Sequence, residues 1–159
     1  MGALPPPRNK YRPALGHLLG IDVDVRDGGL VHRLLDLASD TIGATPLMRI
    51  GQAPKTLLAY RTEIPFTKIK TPRLLMPSGQ HALIECLATG QQFVGFGIHP
   101  GTRQPYRWPR ATPLDVPLSE LPAMTEAQAR AFVAEAERLL RDAGGHPEAK
   151  GRASGRNAA

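Results

Sequence analysis

The sequence predicts an α+β domain, because its segments alternate as one strand, one helix, several short strands and a second helix. Residues 18–25 are rich in β-branched side chains and stop before a glycine pair, which is typical of a strand. Residues 30–40 place three leucines and an alanine on one helical face. Residues 126–142 form the clearest helix, because Thr125 as N-cap and Gln128 at the third helical position make a capping box.

The chain between these two helices predicts short strands and loops. We expect strands at 46–50 and 56–61, kept short by the prolines around them. A Thr-Gly pair separates two apolar runs, so residues 82–87 and 91–98 are predicted to form a β-hairpin. The loop that follows contains one candidate short strand at 106–108.

The two ends of the chain contain few residues that could build a core. Residues 1–17 are rich in proline and basic side chains, and we expect an irregular leader there. Residues 144–159 consist mainly of glycine, alanine and basic residues, which predicts a flexible tail. A single domain is therefore expected over residues 18–143.

The composition limits the kind of protein. A length of 159 residues suits one domain, and a hydrophobic fraction of 42% is too high for wholesale disorder. The single cysteine, Cys86, excludes an internal disulfide and fits a reducing cytosol. The apolar runs are far shorter than the roughly 20 residues of a membrane span, and the start has no signal-peptide pattern, so we expect a cytoplasmic protein with no membrane partner. A net charge of +6 favours a polyanionic partner, above all nucleic acid.

Two aspartates on the first strand are the first candidate site. Asp22 and Asp24 alternate with apolar residues, so they share one face of the strand while their neighbours face a core. Adjacent carboxylates stay ionised at low cost only when they are solvated or hold a cation, and magnesium prefers oxygen ligands. The pattern fits a two-metal phosphoryl-transfer site. The alternative is an edge strand whose polar face lies in water.

Two residues around the predicted hairpin could extend this site. Glu85 is the only acid in its apolar run, and it could be a third metal ligand if its strand lies beside the first one. The alternative is a glutamate that faces water. His99 follows the second run and could contact a phosphate or a base, whereas the alternative is that it caps the end of the strand.

Basic side chains in the middle of the chain provide candidate phosphate contacts. Lys55 and Arg61 would neutralise triphosphate or template charge near a metal site, although cations on edge strands also prevent aggregation. Residues 106–110 interleave aromatic and basic side chains, which suits stacking on bases. We favour packing of Trp108 against the domain instead, because the chain has few aromatic residues for its core.

Three blocks of the sequence resemble one known family. They are Gly-Ile-Asp-Val-Asp-Val at 20–25, Arg-Ile-Gly-Gln-Ala-Pro-Lys-Thr-Leu-Leu-Ala-Tyr-Arg at 49–61, and the long segment 84–100 with Tyr106 and Trp108 after it. They are similar to the bifunctional DNA primase/polymerase N-terminal domain of phages, prophages and plasmids, in the archaeo-eukaryotic primase superfamily. The third block is the longest and most specific, and the part before the Asp-x-Asp strand is shorter than in that family.

The resemblance implies an RNA-recognition-like primase/polymerase core with a mixed or antiparallel sheet and flanking helices. It implies DNA template and primer and nucleoside triphosphates as partners, Mg²⁺ or Mn²⁺ as cofactor, and a separate replicative helicase for unwinding. The reaction would be attack of a 3′-hydroxyl on an α-phosphate, with pyrophosphate leaving. The catalytic and metal-binding residues would be Asp22, Asp24 and Glu85, and our candidate nucleotide contacts are Lys55, Arg61 and His99.

The sequence is compatible with two other functions. The chain is an inactive nucleic-acid-binding remnant of such a domain if its shortened N-terminal part has removed activity. A metal-dependent nuclease would use the same three carboxylates. A polymerase extends a primer, a remnant binds DNA with salt-dependent affinity and no metal requirement, and a nuclease degrades DNA when metal is added.

Overall fold

The computed structural model describes residues 16–148. Within this range the chain forms seven strands and two α-helices, followed here in chain order: β1 (His17–Asp24), α1 (Gly28–Thr41), β2 (Met48–Arg49), β3 (Thr56–Thr62), β4 (Ile69–Lys70), β5 (Leu74–Leu75), β6 (His81–Leu87), α2 (Glu126–Asp142) and β7 (His146–Pro147). The predicted α+β class is confirmed. None of the described helices is long and apolar enough to cross a membrane.

The strands form one antiparallel sheet in the order β2-β3-β1-β6-β5-β7, and β4 also pairs with β6. The central strand β1 lies between β3 and β6, with Asp22 opposite Leu57 on one side and Glu85 on the other. This register brings residues that are far apart in sequence onto the same part of the sheet.

Both helices cover one face of the sheet. The face formed by Ile21, Val23 and Ile84 is fully buried, because α1 and α2 pack their apolar stripes against it. The side chains that these helices bury are Val31, Leu34, Ala38, Ala129, Phe132, Val133, Ala136 and Leu140. Asp27 caps α1 by accepting from the Leu30 amide, and Thr125 and Gln128 form the predicted capping box of α2.

The opposite face of the sheet has a smaller apolar cluster and a polar part. Leu47, Ala59 and Leu121 are buried there, and the Trp108 side chain packs against them. The charged side chains of β1 and β6 lie on the polar part of this face.

The predicted hairpin is wrong in its second half. Residues 82–87 lie within β6, but residues 91–98 contain no strand. The edges of β6 are already occupied, since β1 pairs with one side while β4 and β5 pair with the other. The predicted strand at 106–108 is not formed, and only an isolated β-bridge between Arg107 and Ile50 is found there.

The predicted tail is ordered at its start. His146 and Pro147 form β7, which pairs with Leu75 and Leu74 of β5. The rest of the tail, residues 149–159, and residues 1–15 of the predicted leader lie outside the described residues.

Candidate functional site

The register between β1 and β6 places three carboxylates on one face of the sheet. Asp22 lies directly opposite Glu85, and Asp24 is two residues along the same strand. Side chains that face each other across an antiparallel pair have Cβ atoms about 4.5–5.5 Å apart, and residues two apart share a face. The structure therefore brings the three predicted carboxylates together, with Asp22 in the middle.

The charge of Asp22 is unfavourable in the folded structure. Its pKa is raised from the ordinary value, first by burial and then by the charges of Asp24 and Glu85, although Arg49 and Lys55 lower it. It makes no ion pair with any residue that the structure describes. An ionised Asp22 is consequently costly, and a cation at its oxygens would relieve that cost.

Asp24 and Glu85, the carboxylates on either side of Asp22, each form an ion pair with a lysine. The Lys55 ammonium lies 2.7 Å from Asp24 Oδ1, and the Lys68 ammonium lies 2.5 Å from Glu85 Oε1. As these side chains stand, no three His, Cys, Asp or Glu residues within 16–148 surround a common point at which a metal ion could bind. The oxygen donors are nevertheless of the type that magnesium takes, so the carboxylates fit a divalent cation provided that the lysines release them.

A cavity of about 170 Å³ borders this face of β1. Its walls combine carboxylates, cations and aromatic rings, contributed by Asp22, Asp24, Arg49, Lys55, His99 and Tyr106. A larger open cavity of about 410 Å³ shares Asp24 and Lys55 with it and is lined further by Arg26, Arg73, Gln80 and His81. The sheet face thus presents a predominantly cationic recess beside the carboxylates, which suits a ligand that has several phosphates.

His99 is held in one tautomer by its own loop. Its Nδ1 accepts the amide protons of Gly101 and Thr102, each at 3.1 Å. A neutral imidazole that accepts at Nδ1 has its proton on Nε2, so the ring offers a fixed donor at a wall of the cavity. Its edge lies against the Tyr106 ring, with 5.4 Å between the ring centroids.

Arg49 is a site residue that was not among the predicted ones. Its guanidinium lies 4.6 Å from the centroid of the Tyr106 ring and donates to the carbonyl of Val94, while its buried Nε has no partner in the described structure. Burial lowers the pKa of Arg49, and the charge of Asp22 opposes that shift. Its position as the only cation in the predicted strand 46–50 was the signal for it in the sequence.

Gly51 allows the rings of the cavity to approach the backbone. A Cβ atom at this position would lie 2.5 Å from Tyr106 Cε1 and 2.7 Å from His99 Cδ2, closer than such atoms come in proteins. Any side chain here would therefore displace the wall that holds His99.

Two other predicted contacts lie elsewhere. Arg61 does not reach the cavity, because its Nε donates to the Leu121 carbonyl at 2.8 Å and its guanidinium pairs with Glu63 at 3.3 Å. Trp108 packs on the domain, as favoured from the sequence, and its Nε1 donates to the Gly95 carbonyl at 2.8 Å.

Comparisons of the chain with protein-family models, with curated proteins and with solved structures found no match.

Proposed function

We propose that this chain is a nucleotidyl-transfer domain of the primase–polymerase type, which adds nucleotides to a DNA primer or initiates one on a template. The observation that supports this best is that two carboxylates and several cationic side chains line one cavity, with a third carboxylate directly opposite Asp22 in the sheet. The residues are Asp22, Asp24 and Glu85 on the sheet, and Arg49, Lys55 and His99 around them. The longer elements follow in the order β1, α1, β3, β6 and α2, which matches the first five elements of the strand–helix–strand–strand–helix–strand order of an RNA-recognition-like core, and the antiparallel sheet agrees with the one that the resemblance implies.

The three carboxylates would hold Mg²⁺ or Mn²⁺ in this proposal. The metal, when bound, would bring the 3′-hydroxyl and the α-phosphate together and offset the charge of the leaving pyrophosphate. Asp22 favours this assignment, because the charges of its carboxylate neighbours and its burial both raise its pKa and nothing in the described structure pairs with it.

Metal binding in this proposal would require the ion pairs of Lys55 and Lys68 to rearrange. Lys55 neutralises Asp24 at 2.7 Å in the structure, and Lys68 neutralises Glu85 in the same way. If the carboxylates held a metal, Lys55 would be available for the triphosphate, since it lines the same cavity. The exchange keeps the local charge balanced before and after the ligand binds.

Arg49 and His99 would orient the phosphates. Arg49 has an unpaired, buried Nε donor, and its guanidinium plane is fixed by the Tyr106 ring. His99 offers the Nε2 donor that its loop enforces. Donors that are already held in place stabilise developing charge without reorganisation.

Primer extension tests the proposal. The chain is incubated with a primed template, deoxynucleotides and Mn²⁺ or Mg²⁺, beside an Asp22→Ala/Asp24→Ala variant. The matched control is Asp36→Ala/Asp40→Ala, which removes two exposed carboxylates of α1. Incorporation by the wild type and the control, and none by the site variant, supports the proposal. Absence of incorporation by a wild-type chain that melts cooperatively contradicts it.

The ion pairs give a specific reason to keep the inactive remnant as the second candidate. Lysines that neutralise Asp24 and Glu85 permanently would leave a fold with a basic recess and no metal. Such a chain binds DNA with an affinity that falls with salt and that does not change when EDTA is added. Metal-dependent degradation of the template in the same assay would instead indicate the nuclease.

A further inference from the structure

An apolar surface next to the cavity has no role in the transfer chemistry. Residues 91–98 expose three large side chains, with Val94 at 50%, Phe96 at 53% and Ile98 at 60% of their full accessible area. The Phe96 ring lies 6.1 Å from the Trp108 ring, centroid to centroid, at an interplanar angle of 43°. Three large apolar side chains exposed within eight residues of one loop differ from apolar residues scattered singly over a surface, and such a concentration points to a ligand.

Hydrogen bonds hold residues 91–98, called the Phe96 loop below, in a fixed shape. Three of its carbonyls accept hydrogen bonds from outside the segment: Val94 from Arg49, Gly95 from Trp108 Nε1 at 2.8 Å, and Gly97 from the amide of Tyr106 at 2.9 Å. A loop that is already ordered loses little entropy when it binds. The exposure of Phe96 is thus a property of the ordered structure.

The charged side chains within the segment that contains the Phe96 loop are all basic. Residues 86–114 contain no aspartate or glutamate, and they include the exposed Arg103 and Arg107. Arg107 follows Tyr106, whose amide is bonded to the loop, and Arg103 lies in the turn that leads from Ile98 back to Pro105. An apolar surface with a cationic border complements a polyanion that has flat apolar faces.

We propose that the Phe96 loop is a stacking surface for an unpaired base of a single-stranded nucleic acid, with Arg103 and Arg107 meeting its phosphates. Bases stack on exposed aromatic rings while cations track the backbone in single-strand binding proteins generally. The location of the loop supports this ligand, because Arg49 bonds the loop and also lines the cavity. A strand that stacks on Phe96 would therefore lie beside the site of nucleotide addition, and in this respect the inference rests on the proposed function.

Trp108 provides a direct probe, because it is the only tryptophan of the chain and its ring is next to Phe96. The metal-free protein is titrated in EDTA with an oligodeoxythymidine of about ten nucleotides while tryptophan fluorescence is recorded. We expect saturable quenching. Phe96→Ala should weaken binding roughly 5- to 150-fold, which is the range for loss of one base–aromatic stack, and Phe96→Tyr should bind like the wild type. Anisotropy of a labelled oligonucleotide gives the same constants independently of Trp108.

Salt dependence separates the stacking contact from the phosphate contacts. Phe96→Ala should leave the slope of log K against log salt unchanged, whereas Arg107→Gln should reduce it by about 0.7, the value for one phosphate on a single strand. Leu114→Ala is the matched control, because it removes a more exposed apolar side chain, at 86%, from the same acid-free stretch. We expect wild-type affinity for this control.

Two results would overturn the inference. One is a Phe96→Ala variant that binds the oligonucleotide as tightly as the wild type. The other is a wild-type chain that ignores the oligonucleotide but self-associates in sedimentation, with dimers lost in Phe96→Ala, since the loop would then be an interface between copies. The titration is done in EDTA without nucleotide, so it does not depend on a metal at the carboxylates. A failure of primer extension thus stays distinct from a failure of strand binding.

Discussion

Asp22→Asn should make the folded protein more stable while it abolishes metal binding. The substitution keeps the shape of the side chain and removes its charge. In the wild type this charge is partly buried and lies beside Asp24 and opposite Glu85, and both raise its pKa. Removal of an ordinary surface charge would change stability little. A gain in stability on loss of this charge would mark Asp22 as a residue placed for a ligand rather than for the fold.

The expected gain is about 1 kcal/mol. Charged pairs that face each other across a strand pair are worth roughly 0.2–1 kcal/mol, and the pair is unfavourable when the charges are alike. Asp22 has one such neighbour, Glu85, and a second like charge, Asp24, two residues along its own strand. The charges of Arg49 and Lys55 act in the opposite direction and cancel part of the sum. A gain of this size corresponds to a rise of about 2–6 °C in melting temperature for a domain of this length.

The gain should depend on pH in a defined direction. The folded-state pKa of Asp22 lies above the ordinary value of 3.8, so the folded protein keeps this proton to a higher pH than the unfolded chain does. The contribution of Asp22 to stability is therefore greatest below that ordinary value, falls as the pH rises through the folded-state pKa, and is constant above it. Wild type and Asp22→Asn should differ at pH 7 and converge in acid.

The assay is chemical unfolding in EDTA at several pH values, and then again with Mn²⁺. Asp36→Asn is the control, since the Asp36 side chain is 67% exposed on α1, and its stability should stay within about 0.5 kcal/mol of the wild type at pH 7. Added Mn²⁺ should stabilise the wild type by mass action and leave Asp22→Asn unchanged. A loss of more than about 1 kcal/mol in Asp22→Asn at pH 7 would refute the reasoning, because it would mean that the charge is satisfied within the fold.

Three further outcomes follow from individual contacts. Gly51→Ala should destabilise the protein by about 1–3 kcal/mol, because the new methyl group overlaps the Tyr106 and His99 rings. It should also weaken binding of manganese–nucleotide at least about tenfold in calorimetric titration. Nucleotide binding at wild-type strength would contradict the proposed place of His99. Thr125→Ala should lower the free energy of unfolding by about 1 kcal/mol through loss of the α2 cap while primer extension is unaffected, and an unchanged urea midpoint would show that the cap is dispensable. Cys86 should react with a thiol reagent at pH 8 at least about a hundredfold more slowly in the folded protein than in urea, because burial raises its pKa to about 12; equal rates would mean that β6 opens readily.

The local elements were predictable from the sequence, because each depends on residues close together in the chain. The alternation around Asp22 and Asp24 predicts both the strand and the shared face, and the capping box of α2 requires only Thr125 and Gln128. The position of Glu85 was a conditional prediction, since spacing contains no information on which strands pair. Only the register of β1 with β6 shows that Glu85 faces Asp22.

The error in the predicted hairpin and the failure to predict Arg49 as a site residue have the same physical origin. An apolar run with a glycine turn before it favours a strand only if a neighbouring edge is free, and β4 and β5 occupy that edge of β6. Residues 91–98 lie instead along the polar side of the sheet. Phe93 packs there against Gly20, where a Cβ atom would lie 3.1 Å from the Phe93 ring, and Arg49 donates to the Val94 carbonyl. Both contacts depend on the path of a loop that no local pattern specifies.

The irregular path of this loop is also what makes a site possible. A hairpin partner for β6 would extend the sheet sideways and leave the face with Asp22 open to water, where three carboxylates would be solvated and their charges screened. Laid across the face, the loop leads the chain to His99 and Tyr106, which line one cavity with Asp22 and Asp24 and leave room for a small ligand between them. Lys55 and Lys68 then supply the counter-charge that the buried face requires. The two ammonium groups lie against the same oxygens that a metal would take, so metal affinity should rise when either lysine is replaced by a neutral residue. If the ion pairs were purely structural, the same replacement would destabilise the protein and would not raise its affinity for metal.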